Sequence, residues 1–325
     1  MTGNNTRWTA SYIPEQAGRL FIITGANSGI GFEAARTLAA HRATVIMAVR
    51  SPERGEQAAA DIRRETPDAD LHVMPLDLSD LASVKVFADD FRTRFGHLDV
   101  LINNAGVMAL PQRQTTADGF EKQFGTNHLG HFALTGHLID LLVNQPNARI
   151  VTVSSNAHRF GRINFDDLQS KRSYNPWRAY SQSKLANLLF AFELQRRLTA
   201  AGSKTISVGC HPGWAATNLQ YGSRDVQQQP LRRGVMKLMN SLLAQSAAMG
   251  ALPTLYAAVA PDVNGCDYIG PSGLMHSRGY PAKEQATDAA CDETAAALLW
   301  GISERLTGVR YDALQTAEHT QTAPA

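Results

Sequence analysis

A tyrosine and a lysine stand four residues apart at the two ends of the segment YSQSK, Tyr180 and Lys184. On a helix, residues at this spacing lie on one face, a turn apart. A free phenol has a pKa of about 10, and a neighbouring ammonium stabilises the phenolate and lowers that pKa. Such a pair could exchange protons with a substrate near neutral pH. On its own, however, the spacing is also typical of a pair that only stabilises a helix.

A glycine-rich turn, TGANSGIG at residues 24–31, follows the first apolar run and immediately precedes a stretch with helical periodicity. Glycine suits a turn that adopts unusual dihedral angles and lets a ligand approach the backbone. The N-terminal amides of the following helix carry partial positive charge, which attracts a pyrophosphate. Any tight strand-to-helix connection can contain glycines. Its position after the first strand of a doubly wound sheet is what predicts a nucleotide site.

Arg50 follows the second apolar run, TVIMAV, where the adenosine ribose of a bound dinucleotide would lie. An NAD-binding chain places a carboxylate there for the 2′-hydroxyl, and no acid stands at this strand end. A guanidinium can instead bind a 2′-phosphate through two parallel hydrogen bonds, which favours NADP over NAD. The alternative is a solvated surface arginine without a ligand.

Two histidines, His128 and His131, lie three residues apart on a predicted helix and could present two ligands to a metal. No third ligand stands at useful spacing, so histidines that pack or form ordinary hydrogen bonds are the preferred interpretation. We therefore predict no metal site. The three cysteines, Cys210, Cys266 and Cys291, are far apart and odd in number, which indicates neither a disulfide framework nor a zinc site.

Short apolar runs alternate with longer stretches of helical periodicity along the chain. The predicted strands are 20–24, 44–48, 71–76, 100–102, 149–153 and 205–208, and the predicted helices are 29–40, 53–65, 81–95, 117–143 and 178–201. The strands are apolar on both faces, as in a sheet that helices cover on each side. Such units joined by right-handed crossovers form a doubly wound parallel sheet, the Rossmann fold of the α/β class. Since no linker interrupts the alternation, we predict a single domain.

Three segments fall outside this alternation: a polar arm at 1–18, a polar loop at 157–176 and the segment 213–250. The last contains an amphipathic stretch at 231–243, which is either a lid over a substrate or an ordinary helix on the core. Its apolar residues near one helical face are Leu231, Val235, Leu238, Met239 and Leu242. We predict that the domain spans 19–310 and that 311–325 form a flexible tail.

The composition excludes several classes of protein. The chain has 325 residues, of which 44% are hydrophobic, and this content supports a sizeable core and excludes a disordered chain. A net charge of +2 argues against nucleic acid as the main partner. The N-terminal segment MTGNNTRWTASYIPEQAGR lacks the apolar stretch of a signal peptide, and no run approaches the roughly 18 apolar residues of a membrane-spanning helix. We therefore expect a soluble, cytoplasmic protein.

Several motifs occur in the order found in short-chain dehydrogenases/reductases, and the chain resembles that family over residues 19–310. They are TGANSGIG, Asp77 in LDLSD, NNAG at 103–106, the adjacent serines Ser154 and Ser155, and YSQSK. No single motif is specific, but together they are. The segment NHLGHF at 127–132, the long gap between Ser155 and Tyr180, and YSQSKLANLLF resemble the retinol dehydrogenase-like branch.

The resemblance implies roles for individual residues. Tyr180 corresponds to the catalytic acid/base and Lys184 to its partner. Ser155 corresponds to the hydroxyl that orients the carbonyl, and Asn127 to the fourth member of the proton relay. The predicted cofactor-binding residues are Gly25, Asn27, Ser28, Gly29, Ile30, Gly31, Arg50, Asp77, Leu78, Asn104, Ala105, Gly106, Tyr180, Lys184, Pro212, Gly213 and Thr217. Ser154 competes with Ser155 for the catalytic role, since consecutive strand residues point to opposite faces.

These residues predict an NADP(H)-preferring oxidoreductase that interconverts an aldehyde or ketone and the corresponding alcohol. Hydride transfer is the chemistry of the cofactor, and Tyr180 would supply the proton while Ser155 holds the carbonyl oxygen. The apolar face at 231–243 favours a lipophilic substrate.

Two other functions use a similar fold. One is a non-catalytic NADP-binding redox sensor, which would have no need of Ser155, Tyr180 and Lys184. The other is a methyltransferase on a Rossmann-like sheet, which the same residues disfavour. By analogy with the family, where the helix carrying the catalytic tyrosine often pairs subunits, we also predict a homo-oligomer.

Overall fold

The computed structural model describes residues 7–143, 145–213 and 246–315. Within them, one sheet has the strand order β3-β2-β1-β4-β5-β6-β7-β8. The strands are β1 Leu20–Thr24, β2 Thr44–Val49, β3 Leu71–Pro75, β4 Val100–Asn103, β5 Arg149–Val153, β6 Ile206–Cys210, β7 Tyr268–Pro271 and β8 Pro281–Glu284. Neighbouring strands are parallel except β7 and β8, which are antiparallel. The predicted α/β doubly wound sheet is confirmed.

Helices lie on both faces of this sheet. They are α1 Gly29–Ala40, α2 Pro52–Glu65, α3 Leu81–Arg94, the short α4 Lys122–Phe124, α5 Gly130–Val143, α6 Pro176–Ala200, α7 Ala247–Val259 and α8 Glu293–Thr307. A π-helical segment, Gly125–Leu129, joins α4 to α5. A 3₁₀ turn, Asn156–Phe160, follows β5.

Strand β1 shows how the two faces are filled. Phe21 and Ile23 belong to the apolar cluster that α1, α2 and α7 cover. Leu20 and Ile22, which alternate with them, belong to the cluster covered by α3, α5 and α6. Successive strand residues point to opposite faces, so a strand buried between two helix layers must be apolar at every position. All five residues of β1 are buried, as the unbroken apolar run predicts.

The predicted helix at 117–143 was wrong at its start. Helix α4 begins at Lys122 because the Glu121 carboxylate caps it, accepting the backbone N–H groups of Gln123 and Phe124 at 3.0 and 2.7 Å. Upstream, Thr115 forms an isolated antiparallel bridge with Glu121, which turns the chain before the helix. The change to π-helical geometry at Gly125–Leu129 was not predicted either.

The C-terminal third contains elements that the sequence analysis missed. Strands β7 and β8 are only four residues long and contain proline, so neither shows the apolar run of a buried strand. The predicted tail boundary at 311 was also wrong. Tyr311 is 3% exposed and its hydroxyl donates to the Phe132 carbonyl at 2.7 Å, while Leu314 is buried as well. The chain is thus part of the core beyond residue 310.

The predicted N-terminal arm is partly integrated into the domain. Ile13 and Gln16 are buried, and the Trp8 ring contacts Tyr256 of α7 edge-on at 5.1 Å between centroids. The predicted lid stretch at 231–243 lies outside the described residues. In the described part of the chain, none of the helices combines the length and apolarity that crossing a bilayer requires.

Candidate active site

The sheet order reverses between β1 and β4, because the chain passes from β1 outward to β3 and then returns to β4 on the other side. Open α/β sheets bind ligands in the crevice at the carboxyl ends of such strands. Here Thr24 at the end of β1 binds the loop that follows β4. Its Oγ1 accepts the backbone N–H groups of Asn104 and Ala105, both at 2.9 Å. The Asn104 amide in turn donates to the Thr24 carbonyl at 2.7 Å.

The glycine-rich turn lies against this loop. Gly25 has a φ of 70°, and a Cβ on it would lie 3.0 Å from the Ala105 Cβ. A Cβ on Gly31 would lie 2.6 Å from the Asn104 amide nitrogen. Ser28 precedes α1 but makes no capping hydrogen bond through its side chain, whereas side chains cap α2, α3 and α6. The uncapped amides of α1 beside a glycine-lined backbone fit a pyrophosphate.

The residues predicted to bind the adenosine end follow the next two strands. Arg50 comes directly after β2 and is exposed, and its side chain forms no ion pair or hydrogen bond with the residues that the structure describes. Asp77 lies beyond β3, where its Oδ1 accepts the backbone N–H and the hydroxyl of Ser79 at 2.9 and 2.7 Å. Leu78 is buried. Arg50 and the pair Asp77–Leu78 thus follow the carboxyl ends of two neighbouring parallel strands, β2 and β3.

The two adjacent serines after β5 have different surroundings. Ser154 is buried and its hydroxyl donates to the Lys184 carbonyl at 2.7 Å, so it holds α6 to the strand. Ser155 is half-buried, and its Oγ accepts the Ala157 backbone N–H at 3.2 Å. The hydroxyl proton of Ser155 thus remains for another acceptor, and Ser155 forms a side-chain hydrogen bond with Tyr180. Of the two serine hydroxyls, that of Ser155 is therefore the one next to the Tyr180 phenol.

Tyr180 and Lys184 lie on the buried face of α6, as their spacing predicts. The Lys184 Nζ is 5.9 Å from the centre of the Tyr180 ring and donates to the Val153 carbonyl at 3.0 Å. A Cβ on Gly106 would lie 3.6 Å from the same Nζ. The ammonium therefore sits between the end of β5 and the loop after β4, at the crevice.

Burial dominates the protonation of this pair. Desolvation lowers the pKa of Lys184 to about 8. Desolvation also raises the pKa of Tyr180, and the hydrogen bond with Ser155 opposes this rise. From the sequence, the ammonium was predicted to lower the pKa of Tyr180. In the structure the loss of water around a 7% exposed phenol raises this pKa instead, so Tyr180 is protonated at neutral pH.

Asn127 lies in the π-helical segment and its side chain holds the loop after β4. Its Oδ1 accepts the Val107 backbone N–H at 2.8 Å, and its Nδ2 donates to the Val107 carbonyl at 2.9 Å. Nδ2 also donates to the Ser183 hydroxyl at 2.9 Å, and Ser183 donates to the Tyr180 carbonyl. The amide is fully engaged by these partners and connects the loop to the helix that carries Tyr180.

The two histidines of NHLGHF are buried, and each binds protein groups. His131 Nδ1 lies 2.9 Å from the Asn127 carbonyl and so must donate to it. Its Nε2 then accepts from the Thr24 hydroxyl, 2.9 Å away, which completes the hydrogen bonds of Thr24. His128 Nε2 lies 2.9 Å from the Ser303 hydroxyl. Burial lowers the pKa of His128 to about 3 and that of His131 to about 4, so both are neutral.

The segment after β6 contains Pro212 and Gly213, two of the predicted cofactor contacts. Gly213 has a φ of 66°, and its backbone lies against the Ser277 carbonyl so closely that a Cβ would clash. Thr217, the third predicted contact of this segment, lies outside the described residues. No group of three or more His, Cys, Asp or Glu side chains in the described ranges is arranged to hold a metal ion.

Three residues that link these parts were not predicted from the sequence. Thr24, Ser183 and Asn187 are buried polar residues, and Asn187 donates to the same Val153 carbonyl as Lys184, at 3.1 Å. All three lie within or next to quoted motifs, TGANSGIG and YSQSKLANLLF. A polar residue on the apolar face of a predicted helix is the signal that could have identified Ser183 and Asn187.

Comparisons with known proteins agree with this geometry. The family described as short chain dehydrogenase matches residues 19–228. Retinol dehydrogenase 14 of Mus musculus is 42% identical over 302 residues, 90% of this chain and 86% of the relative. Retinol dehydrogenase 11 of Homo sapiens is 42% identical over 295 residues, 91% of this chain and 87% of the relative.

A solved structure of an uncharacterized protein from Mycobacterium Paratuberculosis superimposes with a TM-score of 0.77 at 45% identity. The match covers 94% of this chain and 99% of that one. Levodione reductase, at 21% identity and a TM-score of 0.62, shows the same fold. The family match and the relatives together cover most of the chain and every part of the crevice described above. The chain therefore belongs to the short-chain dehydrogenase family, in its retinol dehydrogenase-like branch, and is an NAD(P)-dependent oxidoreductase that interconverts carbonyl and alcohol groups.

Proposed function

We propose that the protein is an NADP(H)-preferring carbonyl reductase or alcohol dehydrogenase for lipophilic substrates, with Tyr180 as the acid/base. The observation that carries this proposal is the convergence of Ser155, Tyr180 and Lys184 beside the glycine-rich turn, at the crevice where the sheet order reverses. A non-catalytic sensor would need the turn but not these three side chains.

Hydride is the chemistry that a bound nicotinamide cofactor supplies. The chain's own residues handle the oxygen and its proton. Tyr180, kept as a phenol by its raised pKa, is in the form that donates a proton to a carbonyl oxygen. Ser155 donates a hydrogen bond to the same oxygen as negative charge develops on it. Lys184, held by the Val153 carbonyl, supplies a positive charge that favours the phenolate left after the transfer.

Two features support the finer parts of the proposal. Arg50, exposed at the end of β2 with no partner among the described residues, is available for a 2′-phosphate and favours NADP. Exposed apolar side chains occur in two segments that adjoin Ser155. Phe160, in the 3₁₀ turn after Ser155, is 85% exposed, and Leu274 and Met275, in the loop that Asn156 contacts, are each 82% exposed. Relatives named retinol dehydrogenases are in keeping with a lipophilic alcohol or aldehyde as substrate.

The test measures consumption of NADPH and NADH with aldehydes and ketones of graded chain length. We expect NADPH to be preferred and kcat/KM to rise with chain length. Tyr180→Phe should lower kcat at least about a hundredfold and leave the Kd for NADPH, measured by fluorescence, within about twofold. Tyr12→Phe is the matched control, because Tyr12 is 56% exposed and remote from the crevice. Saturable NADPH binding without oxidation across the whole panel would instead indicate a sensor.

A further inference from the structure

The carboxylate of Glu284, at the end of β8, joins three separate segments on the substrate side of the site. Glu284 is 3% exposed at its side chain. Its Oε1 lies 2.5 Å from Nε2 of His211, which follows β6. Its Oε2 lies 2.7 Å from Nδ1 of His276 in the β7–β8 loop, residues 272–280, and 3.4 Å from Nη2 of Arg159. No step of the proposed reaction uses this carboxylate.

The hydrogen bond between Gly213 and His211 fixes which ring nitrogen of His211 carries the proton. Its Nδ1 accepts the Gly213 backbone N–H at 3.1 Å, so the proton of the neutral ring must be on Nε2, facing Glu284. Burial lowers the pKa of His211, which keeps the ring neutral. One fully buried imidazole therefore connects Glu284 to the backbone at Gly213, where the segment after β6 begins.

The surrounding backbone closes this contact off from water. A Cβ on Gly270 of β7 would clash with both His211 Nε2 and Glu284 Oε1, so only glycine lets the strand pass the pair. A carboxylate removed from water is costly unless charged or hydrogen-bonding groups replace the water. Arg159 and the two imidazoles are those groups here.

The same loop is also held to the residue after the proposed catalytic serine. Asn156 Nδ2 donates to the His276 carbonyl at 3.0 Å. His276 and its neighbour Met275 both have left-handed backbone conformations, with φ of 51° and 52°. Such conformations are unfavourable for non-glycine residues and persist where surrounding contacts impose them. Glu284 and Asn156 supply those contacts from two directions.

We propose that Glu284 is a positioning residue, which holds the Ser155 turn, the start of the segment after β6 and the β7–β8 loop in one arrangement around the substrate carbonyl. This proposal rests on the proposed function only where it concerns the effect of Glu284 on turnover. Its contacts all lie on the Ser155 side, and none involves the glycine-rich turn or Arg50. Glu284 should thus govern the carbonyl substrate and leave the adenosine end of the cofactor site unaffected.

The first experiment compares Glu284→Gln, which keeps the shape and removes the charge, with Glu65→Gln, which removes an exposed carboxylate paired with Arg36. We expect kcat/KM for the carbonyl to fall about tenfold to a hundredfold in Glu284→Gln, because misplacement of a catalytic group by about 1 Å costs up to that factor. The Kd for 2′,5′-ADP, a probe of the adenosine end, should change less than about twofold. Equal kinetics in the two variants would overturn the proposal.

Hydrogen exchange decides the positioning role without reference to turnover. Backbone amides at 156–161 and 272–280 should exchange at least about tenfold faster in Glu284→Gln, and those at 29–40 should not change. If the wild type oxidises no NADPH, the proposed function fails while this result still decides the role of Glu284. Unchanged exchange in an active enzyme overturns the positioning role alone.

The partners of Glu284 keep the proposal testable if that variant does not fold. Arg159→Gln and His276→Gln alter side chains that are 34% and 43% exposed, so the fold should tolerate them. Each should reproduce part of the loss. Where Glu284→Gln does fold, neither change should add to the loss in that variant, because all act through one carboxylate. Single variants with wild-type kinetics and exchange, or fully additive losses, would overturn the proposal.

Discussion

Ser154 and Ser155 are adjacent in sequence, yet one holds α6 and the other faces the phenol of Tyr180. We expect Ser155→Ala to lower kcat/KM by about a hundredfold to a thousandfold, since it removes a donor to the developing oxyanion. Ser154→Ala should keep kcat within a few-fold and lose about 1 kcal/mol of unfolding free energy with its hydrogen bond. Steady-state kinetics and urea unfolding measure the two effects. A larger loss of turnover in Ser154→Ala would contradict the assignment.

We predict that a single side chain, that of Arg50, sets the preference between NADP and NAD. Arg50→Asp should remove the attraction for a 2′-phosphate and offer a carboxylate to a 2′-hydroxyl, shifting the NADPH-to-NADH ratio of kcat/KM at least about tenfold towards NADH. Arg305→Asp, a change of the same kind at an exposed position of α8, is the control. An unaltered ratio in Arg50→Asp would mean that Arg50 is only a solvated surface residue.

The segment that joins α4 to α5, Gly125–Leu129, is π-helical, and all five of its residues are buried. π-Helical turns inside α-helices often occur at functional sites. Here the turn brings the Asn127 amide to the loop after β4, while the Asn127 carbonyl accepts from His131. Asn127 therefore connects the loop after β4 with helix α6, and through His131 it also connects with the end of β1.

This element also carries an acid-sensitive group. In the unfolded chain His128 has a pKa of about 6.5, whereas burial lowers its pKa to about 3 in the folded protein. The unfolded state therefore binds the proton first, and the free energy of unfolding falls as the pH falls from about 6.5 to about 3. Between pH 7 and pH 5 the wild type should lose about 2 kcal/mol more unfolding free energy than His128→Phe.

Phenylalanine suits this position, because the His128 ring already contacts Phe124, Phe132 and Phe190 and its Nδ1 has no partner in the described residues. Ser303 keeps its hydrogen bond to the Leu299 carbonyl in the variant. Urea unfolding at both pH values measures the difference, with the half-exposed His97→Gln as control. An identical loss in the wild type and His128→Phe would show that His128 is not the responsible group.

At the scale of the whole molecule, helix α8 packs against α6 and covers part of it. Residues 179–194 of α6 are buried throughout, and α8 packs along this helix. Within the single chain, this part of α6 is therefore already covered by the chain's own elements. The homo-oligomer that the family analogy suggests stays a prediction.

Trp300 of α8 makes the aromatic contacts that hold this helix against its neighbours. Its ring is 2% exposed, contacts Phe132 and Tyr311 at 5.1 and 4.5 Å between centroids, and lies under the Arg197 guanidinium at 4.3 Å. Trp300→Ala should lower the free energy of unfolding by about 3–5 kcal/mol, because it opens a large cavity. Trp177→Ala, at a 55% exposed ring, should change it by less than about 0.5 kcal/mol. Comparable losses in the two variants would contradict this anchoring role.

Local pattern was sufficient for the β-α alternation and for the site residues carried by motifs. Strand β1 and helix α1 are recognisable because each needs a continuous apolar set of its own period, and the turn between them needs glycine for backbone reasons. Tyr180 and Lys184 share a helix face because of their spacing alone. The sequence by itself therefore determined strands β1 to β6, the glycine-rich turn and the position of Tyr180 and Lys184 one turn apart on α6.

Tertiary structure decided what depends on distant partners. Whether the phenol pKa falls beside an ammonium or rises through burial depends on how much water α6 and β5 exclude. Strands β7 and β8 are too short to show a period. They are defined by their pairing, β7 with β6 and β8 with β7. The buried contact between His211 and Glu284 joins the residue that follows β6 to the end of β8, and these two strands are not neighbours in the sheet. Contacts of this kind form only after the chain has packed, so no local pattern reports them.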